Sequence, residues 1–162
     1  MSAQTPLTIH TDVVRPEWID YNGHMNVAYY MLAFDMATDA FFDHIGLGEA
    51  YKTKYNCTTF SLEAHITYDR EVLEGDPLMF KTYLLDYDSK RIHYFHEMYH
   101  ATEGYLAATN ELITIHIDFS ERRSAPFAPE MMERLEAMMQ KHKNLPRPDK
   151  IGRTIGIRRK TG

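Results

Sequence analysis

Apolar side chains recur over residues 27–45 at the spacing of one helical face. Val27, Tyr30, Met31, Phe34, Thr38, Phe41, Phe42 and Ile45 fall at i, i+3, i+4, i+7, i+11, i+14, i+15 and i+18, a stripe with a 3.6-residue period. Asn26 suits the start, because its short side chain can accept a hydrogen bond from an unpaired N–H of the first turn. Gly46 suits the end, where a left-handed residue closes a helix. The period is two elsewhere. Leu7–Val14, Thr58–Tyr68, Leu78–Tyr87, Arg91–Ala101 and Tyr105–Phe119 each read as strands. Gly75-Asp76-Pro77, Asp88-Ser89-Lys90 and Glu103-Gly104 are turn sequences between them. A second, short helix begins at Pro129, with Met131, Leu135, Met138 and His142 on its apolar stripe. Tight turns imply antiparallel neighbours. One helix of about 20 residues fills only one concave face of a five-stranded sheet, so the other face or the sheet edge needs cover. The expectation is an α+β fold and at least a dimer.

Composition narrows the class. The 162 residues suit one domain, and a chain this long buries about two-thirds of its unfolded surface. The apolar share is 44% and the charged share 25%, the globular norm. No apolar run approaches the roughly 20 residues of a membrane span. The start, Met1-Ser2-Ala3-Gln4-Thr5-Pro6, lacks the regions of an export signal. The single cysteine, Cys57, excludes an internal disulfide and a four-cysteine zinc site. A reducing cytoplasm is the expected location.

The net charge of −5 hides an asymmetry. Residues 1–140 carry 10 Lys/Arg against 22 Asp/Glu, and residues 141–162 carry 8 against one. An acidic body disfavours nucleic acid. The basic end reads either as a solvated tail or as a grip for a phosphorylated ligand. The expected division is a folded domain over 1–145 and an irregular tail over 146–162.

The segment Asp20-Tyr21-Asn22-Gly23-His24-Met25-Asn26 stands immediately before the long helix. A helix start carries unpaired N–H groups and partial positive charge, which stabilise an oxyanion. Gly23 permits a positive φ or a close approach. Asp20 lies close enough in sequence for the loop to turn its carboxylate toward the same N–H groups. A carboxylate facing an oxyanion site can attack an activated acyl carbon or take a proton from water. The alternative is that Asp20 and Asn22 are ordinary turn formers.

Asp20-x-x-Gly23-His24-x-Asn26, followed by Tyr29, Tyr30 and Phe34-Asp35, resembles the entry motif of the 4-hydroxybenzoyl-CoA-thioesterase-like branch of hotdog-fold proteins. Tyr68-x-x-Glu71-Val72-x-x-Gly75-Asp76-x-Leu78 is similar to that family's passage between its second and third strands. The resemblance implies a hotdog fold, with a long central helix wrapped by a five-stranded antiparallel sheet, and active sites at a dimer interface. It implies that Asp20 is the catalytic carboxylate, that the backbone N–H at Val27 polarises a thioester carbonyl, and that Gly23, His24 and Asn26 shape the loop. A narrower likeness is to the thioesterase domains of bacterial carnitine breakdown. It runs through Ala37-Thr38-Asp39-Ala40-Phe41-Phe42, Glu63-Ala64-His65, Lys90-Arg91-Ile92-His93 and Leu145-Pro146-Arg147-Pro148. It implies hydrolysis of betainyl-CoA to glycine betaine. A broader short-chain, medium-chain or aroyl-CoA thioesterase, a hotdog hydratase and a non-catalytic acyl-CoA-binding module are the alternatives.

Trimethylammonium groups favour aromatic faces, and Trp18, Tyr21, Tyr30 and Phe34 lie near the motif as candidates to line a substrate. Arg147, Arg153, Arg158 and Arg159 would suit CoA phosphates. Glu63 shares a strand face with His65 and could orient water or Asp20. Asp35, Asp39 and Asp43 read as a solvated stripe at i, i+4 and i+8 rather than a cation trap. His93 and His96 would point to opposite faces of their strand, so no metal site is expected. No cofactor is expected either: nothing resembles a P-loop or a GxGxxG turn. The expected partners are a CoA thioester and further copies of the chain, as a homodimer or a dimer of dimers.

Overall fold

A computed structural model describes residues 4–162; Met1–Ala3, part of the N-terminal stretch read above, lie outside the described residues. β1 (Leu7–Val13) passes through a 3-10 turn at Pro16–Trp18 into α1 (Val27–Ile45). There follow α2 (Glu49–Tyr55), β2 (Cys57–Tyr68), β3 (Pro77–Tyr87), β4 (Arg91–His100), β5 (Leu106–Asp118), β6 (Arg123–Ser124) and α3 (Pro129–His142). The antiparallel sheet has the order β1-β3-β4-β5-β2. The two residues of β6 continue beside β5 beyond the end of β4. This is the expected hotdog architecture, a long helix wrapped by a sheet.

The helix is bounded as its sequence dictates. The Asn26 side chain accepts from the Ala28 N–H at 2.9 Å, and Gly46 takes the left-handed φ of 79°. Tyr30, Phe34, Thr38, Phe41, Phe42 and Ile45 are buried, joined by Ala33 and Ala37, which let the helix approach the sheet closely. They meet Phe80, Leu84, Ile92, Tyr94 and Met98 on the inner sheet face. Full burial of each such side chain contributes about 1.5–3 kcal/mol.

His96 sits at the centre of this interface. It is wholly buried, with Thr38 Oγ1 3.0 Å from its Nε2 and Thr82 Oγ1 2.9 Å from its Nδ1, and it stacks on Phe34. Burial pushes its pKa down to about 3. His93, three residues earlier, lies on the opposite face, 3.0 Å from Glu111, as strand alternation requires.

Helix α2 and strand β6 have no counterpart in the sequence pattern. Helix α2 is one short span with a single buried anchor, Tyr51. Its hydroxyl lies 3.1 Å from His116 Nε2 and accepts from the Ala128 N–H. Both contacts are long-range, so local periodicity does not reveal them.

The chain after α3 forms no helix or strand, but part of it is tethered to the outer sheet face. Lys150 Nζ lies 2.8 Å from Asp69, and the Gly152 N–H donates to Glu111 at 2.6 Å. Beyond these contacts Ile155, Ile157, Arg158 and Arg159 are exposed. Strand β2 is a long open edge, with Phe60, Leu62 and Tyr68 about half exposed.

Candidate active site

The loop before α1 is a closed hairpin. Ile19 and Met25 form an antiparallel bridge, the Asp20 N–H donates to the His24 carbonyl at 3.1 Å, and the Gly23 N–H donates to the Asp20 carbonyl at 3.0 Å. The Asn26 N–H then donates to the Trp18 carbonyl at 2.9 Å. These bonds fold Asp20 back beside His24, two residues before the helix cap. Gly23 makes the turn possible at φ 84°, where other L residues are strained. The Asp20 carboxylate accepts from the Asn22 N–H at 2.8 Å through Oδ1. It therefore makes the local Asx bond that the turn-former reading foresees, while Oδ2 has no hydrogen-bond partner among the described residues.

The helix start supplies the complementary charge. Asn26 occupies the Ala28 N–H through its side chain and the Tyr29 N–H through its carbonyl. The Val27 N–H has no hydrogen-bond partner among the described residues, and Val27 is 59% exposed. That leaves one free backbone donor at the positive end of a 19-residue helix.

The second resembling motif packs against the first. The Met25 N–H donates to the carbonyl of buried Val72, and His24 Nε2 stands 4.0 Å from a Glu71 carboxylate oxygen. The Tyr105 hydroxyl donates to the Glu71 carbonyl at 3.0 Å. Tyr68, the first residue of that motif, has no role assigned from the sequence, yet it reaches the site. Its hydroxyl donates to the Val27 carbonyl at 3.4 Å, and its ring stands edge-on to Tyr30. Its place at the helix-facing end of an alternating strand was the available signal.

The other sequence candidates separate. Trp18 is 2% exposed and stacks on Tyr29, and Phe34 is fully buried between Phe80 and His96. Tyr30 is also core, and burial pushes its hydroxyl up to about 12. Within the protomer these three hold the loop and helix in place; of the four aromatic candidates only Tyr21 is fully exposed. Glu63 and His65 lie on the outer sheet face, bordering a cavity with His93, Glu111 and Arg153. Glu63 is five residues from Tyr68 along β2, about 17 Å at strand rise, so one protomer does not bring it to Asp20. Arg153 lies beside His65 and Tyr68, whereas Arg147, Arg158 and Arg159 are exposed.

With this geometry in hand, comparison with known proteins is specific. A model of the Thioesterase-like superfamily matches residues 14–135. A betainyl-CoA thioesterase of Pseudomonas aeruginosa PAO1 is 40% identical over 151 residues, covering 93% of this chain and 95% of its own. An L-carnitine dehydrogenase/betainyl-CoA thioesterase of Rhizobium meliloti is 33% identical over 98% of this chain, which spans 32% of that longer protein. Among solved structures, a hypothetical protein of Staphylococcus aureus in complex with CoA superposes with a TM-score of 0.88 at 31% identity. That likeness covers 98% of this chain and all of the other. The free amide at Val27, the folded-back Asp20 loop and the helix-in-sheet architecture thus occur in a chain that belongs to the thioesterase-like superfamily.

Proposed function

We propose that this protein is an acyl-CoA thioester hydrolase, acting on betainyl-CoA to give glycine betaine and CoA. The observation that carries the reading is the unpartnered Val27 N–H at the start of α1, with the Asp20 loop folded back beside it. The similar proteins named for betainyl-CoA hydrolysis support the acyl group. The thioester carbonyl oxygen accepts from the Val27 N–H, which stabilises the negative charge that develops there. Asp20 either takes a proton from the attacking water or attacks the carbonyl carbon itself, in which case water then hydrolyses the resulting acyl anhydride and restores the carboxylate. Collapse breaks the C–S bond, the electron pair leaves on sulfur, and the thiolate is protonated. His24, Gly23 and Asn26 hold the loop.

The open edge of β2 supports a homodimer or a dimer of dimers, since a strand of 12 residues paired on one side only, with exposed Phe60, Leu62 and Tyr68, invites pairing. Arg153 lies near Tyr68, the residue that touches Val27. That supports a role for the basic tail over 146–162 in holding CoA phosphates. Among the described residues no helix is long and apolar enough to cross a membrane. One buried free cysteine suits a cytoplasmic protein.

The test is thiol release from a panel of CoA thioesters. Asp20→Asn should lower kcat by about 10²–10⁴-fold, the usual worth of a positioned acid–base group, with an unchanged melting temperature. Full activity in Asp20→Asn refutes the role. Single-turnover hydrolysis in ¹⁸O water labels Asp20 itself only if its carboxylate attacks.

A further inference from the structure

We propose that the cavity beside the acidic row of α1 receives the positively charged head of the acyl group, and that it serves the thioester site of a second copy of this chain. The inference rests on the thioesterase reading and names the residues that would set its substrate class.

The cavity, of about 420 Å³, lies between the later half of α1, the start of α2 and the first half of β2. Asp35, Asp39 and Asp43 border it from α1 and Glu49 from α2. Residues four apart share a helix face, so their charges add instead of dispersing. The one lysine at the rim, Lys52, has its ammonium 5.2 Å from the ring centroid of Phe119. Burial, followed by the Asp35 and Asp43 charges, holds the Asp39 carboxyl above its ordinary value. A cation would relieve that repulsion. All three aspartates are exposed in the single protomer, as a solvated stripe is, and so are open to a ligand.

A second, independent feature points to a ligand. Thr114 borders the same cavity and is 2% exposed, and its Oγ1 has no hydrogen-bond partner among the described residues. An unpaired buried hydroxyl is costly. Phe42 adds an aromatic ring to the lining. Carboxylates, a ring and a hydroxyl oxygen suit a trimethylammonium group, which carries charge on polarised methyl groups and donates no N–H bond.

The thioester site of the same protomer lies too far away. At 1.5 Å rise per residue, Asp35 and Asp39 stand about 12 and 18 Å along α1 from Val27. In a betainyl group the nitrogen is two bonds from the carbonyl carbon. A second copy removes the mismatch. The Val27 end of α1 touches Tyr68, at one end of β2, whereas the cavity borders Thr58 and Ser61, near the other end. Pairing of the open β2 edge with its own copy about a two-fold axis is antiparallel. It lays the Tyr68 end of one protomer beside the Cys57 end of its partner. The partner's Val27 amide is thereby carried to this cavity.

The discriminating pair of substrates is betainyl-CoA and 3,3-dimethylbutyryl-CoA, which differ by carbon in place of the cationic nitrogen. Asp39→Asn and Asp35→Asn should each lower the ratio of kcat/KM, charged over uncharged, by at least about tenfold, whereas Asp20→Asn should lower both values together. Asp20→Asn and Asp39→Asn chains mixed in one preparation should regain about one quarter of wild-type betainyl-CoA turnover, because half the dimers are mixed and each holds one intact site. An unchanged ratio, or mixed dimers no better than the separate variants, overturns the proposal. If an aspartate variant does not fold, inhibition of the wild-type enzyme decides. Glycine betaine should inhibit at concentrations at least about tenfold lower than 3,3-dimethylbutyrate, and equal inhibition overturns the cation pocket. Thiol release from the uncharged thioester at a rate equal to or above that from betainyl-CoA refutes the pocket while hydrolysis stands. No thiol release from any acyl-CoA refutes the hydrolase reading itself.

Discussion

Acidification should destabilise this protein through His96, and the size of the effect follows from its surroundings. The imidazole is completely buried, lies between the Thr38 and Thr82 hydroxyls, and stacks on Phe34. Burial, the larger cause, and the nearby His10 lower its pKa from 6.5 to about 3. A group whose folded pKa is depressed in this way is neutral in both states above pH 6.5. As the pH falls through 6.5 the unfolded chain takes up a proton that the folded chain refuses. Stability is therefore lost from 6.5 downward, at about 1.36 kcal/mol per pH unit, until the folded pKa is reached. From pH 7.5 to pH 5 the loss assigned to His96 alone is about 2 kcal/mol, a large part of a typical 5–15 kcal/mol.

The assay is urea unfolding of wild type and His96→Gln at both pH values. His10, His116 and His142 also have lowered pKa values, caused first by burial, and add to the acid lability of both proteins. The difference between the two pH-dependent losses isolates His96. Equal losses in the two proteins would refute the reasoning, as would a His96 imidazole, assigned by its loss in His96→Gln, that titrates near pH 6 by NMR in the native wild type.

Further outcomes follow from the same geometry. Asn26→Ala removes the bond to the Ala28 N–H and should cost about 1 kcal/mol, read as a lower melting temperature, together with a lower kcat because the helix start frays beside Val27. Leu62→Asp places a charge on the open β2 edge, where Leu62 is 55% exposed. It should yield monomers by light scattering with the folded circular dichroism spectrum retained. Deleting residues 146–162 removes the Lys150 and Gly152 tethers and should raise KM for CoA thioesters more than it lowers kcat. An equal fall in kcat with KM unchanged would argue against a role for the tail in CoA binding.

Much of the fold is legible in the order of side chains because its cause is local. The long helix announces itself by an apolar stripe from Val27 to Ile45, by Asn26 and by Gly46, and the strands by alternation between tight turns. The Asp20–Asn26 loop is legible for the same reason: a capping residue and a positive-φ glycine act within a few residues of where they stand. Other features depend on contacts across the chain. Helix α2 rests on Tyr51 reaching His116 and Ala128, more than sixty residues away. Trp18 and Phe34 were candidates to line a cation cage although most aromatics at such spacing are core, and packing against Tyr29, Phe80 and His96 made them core. Asp35, Asp39 and Asp43 share a face by helical period alone, but whether that face meets water or a cavity depended on where α2 and β2 came to rest. Periodicity records which residues share a face; only the packed structure determines what that face meets.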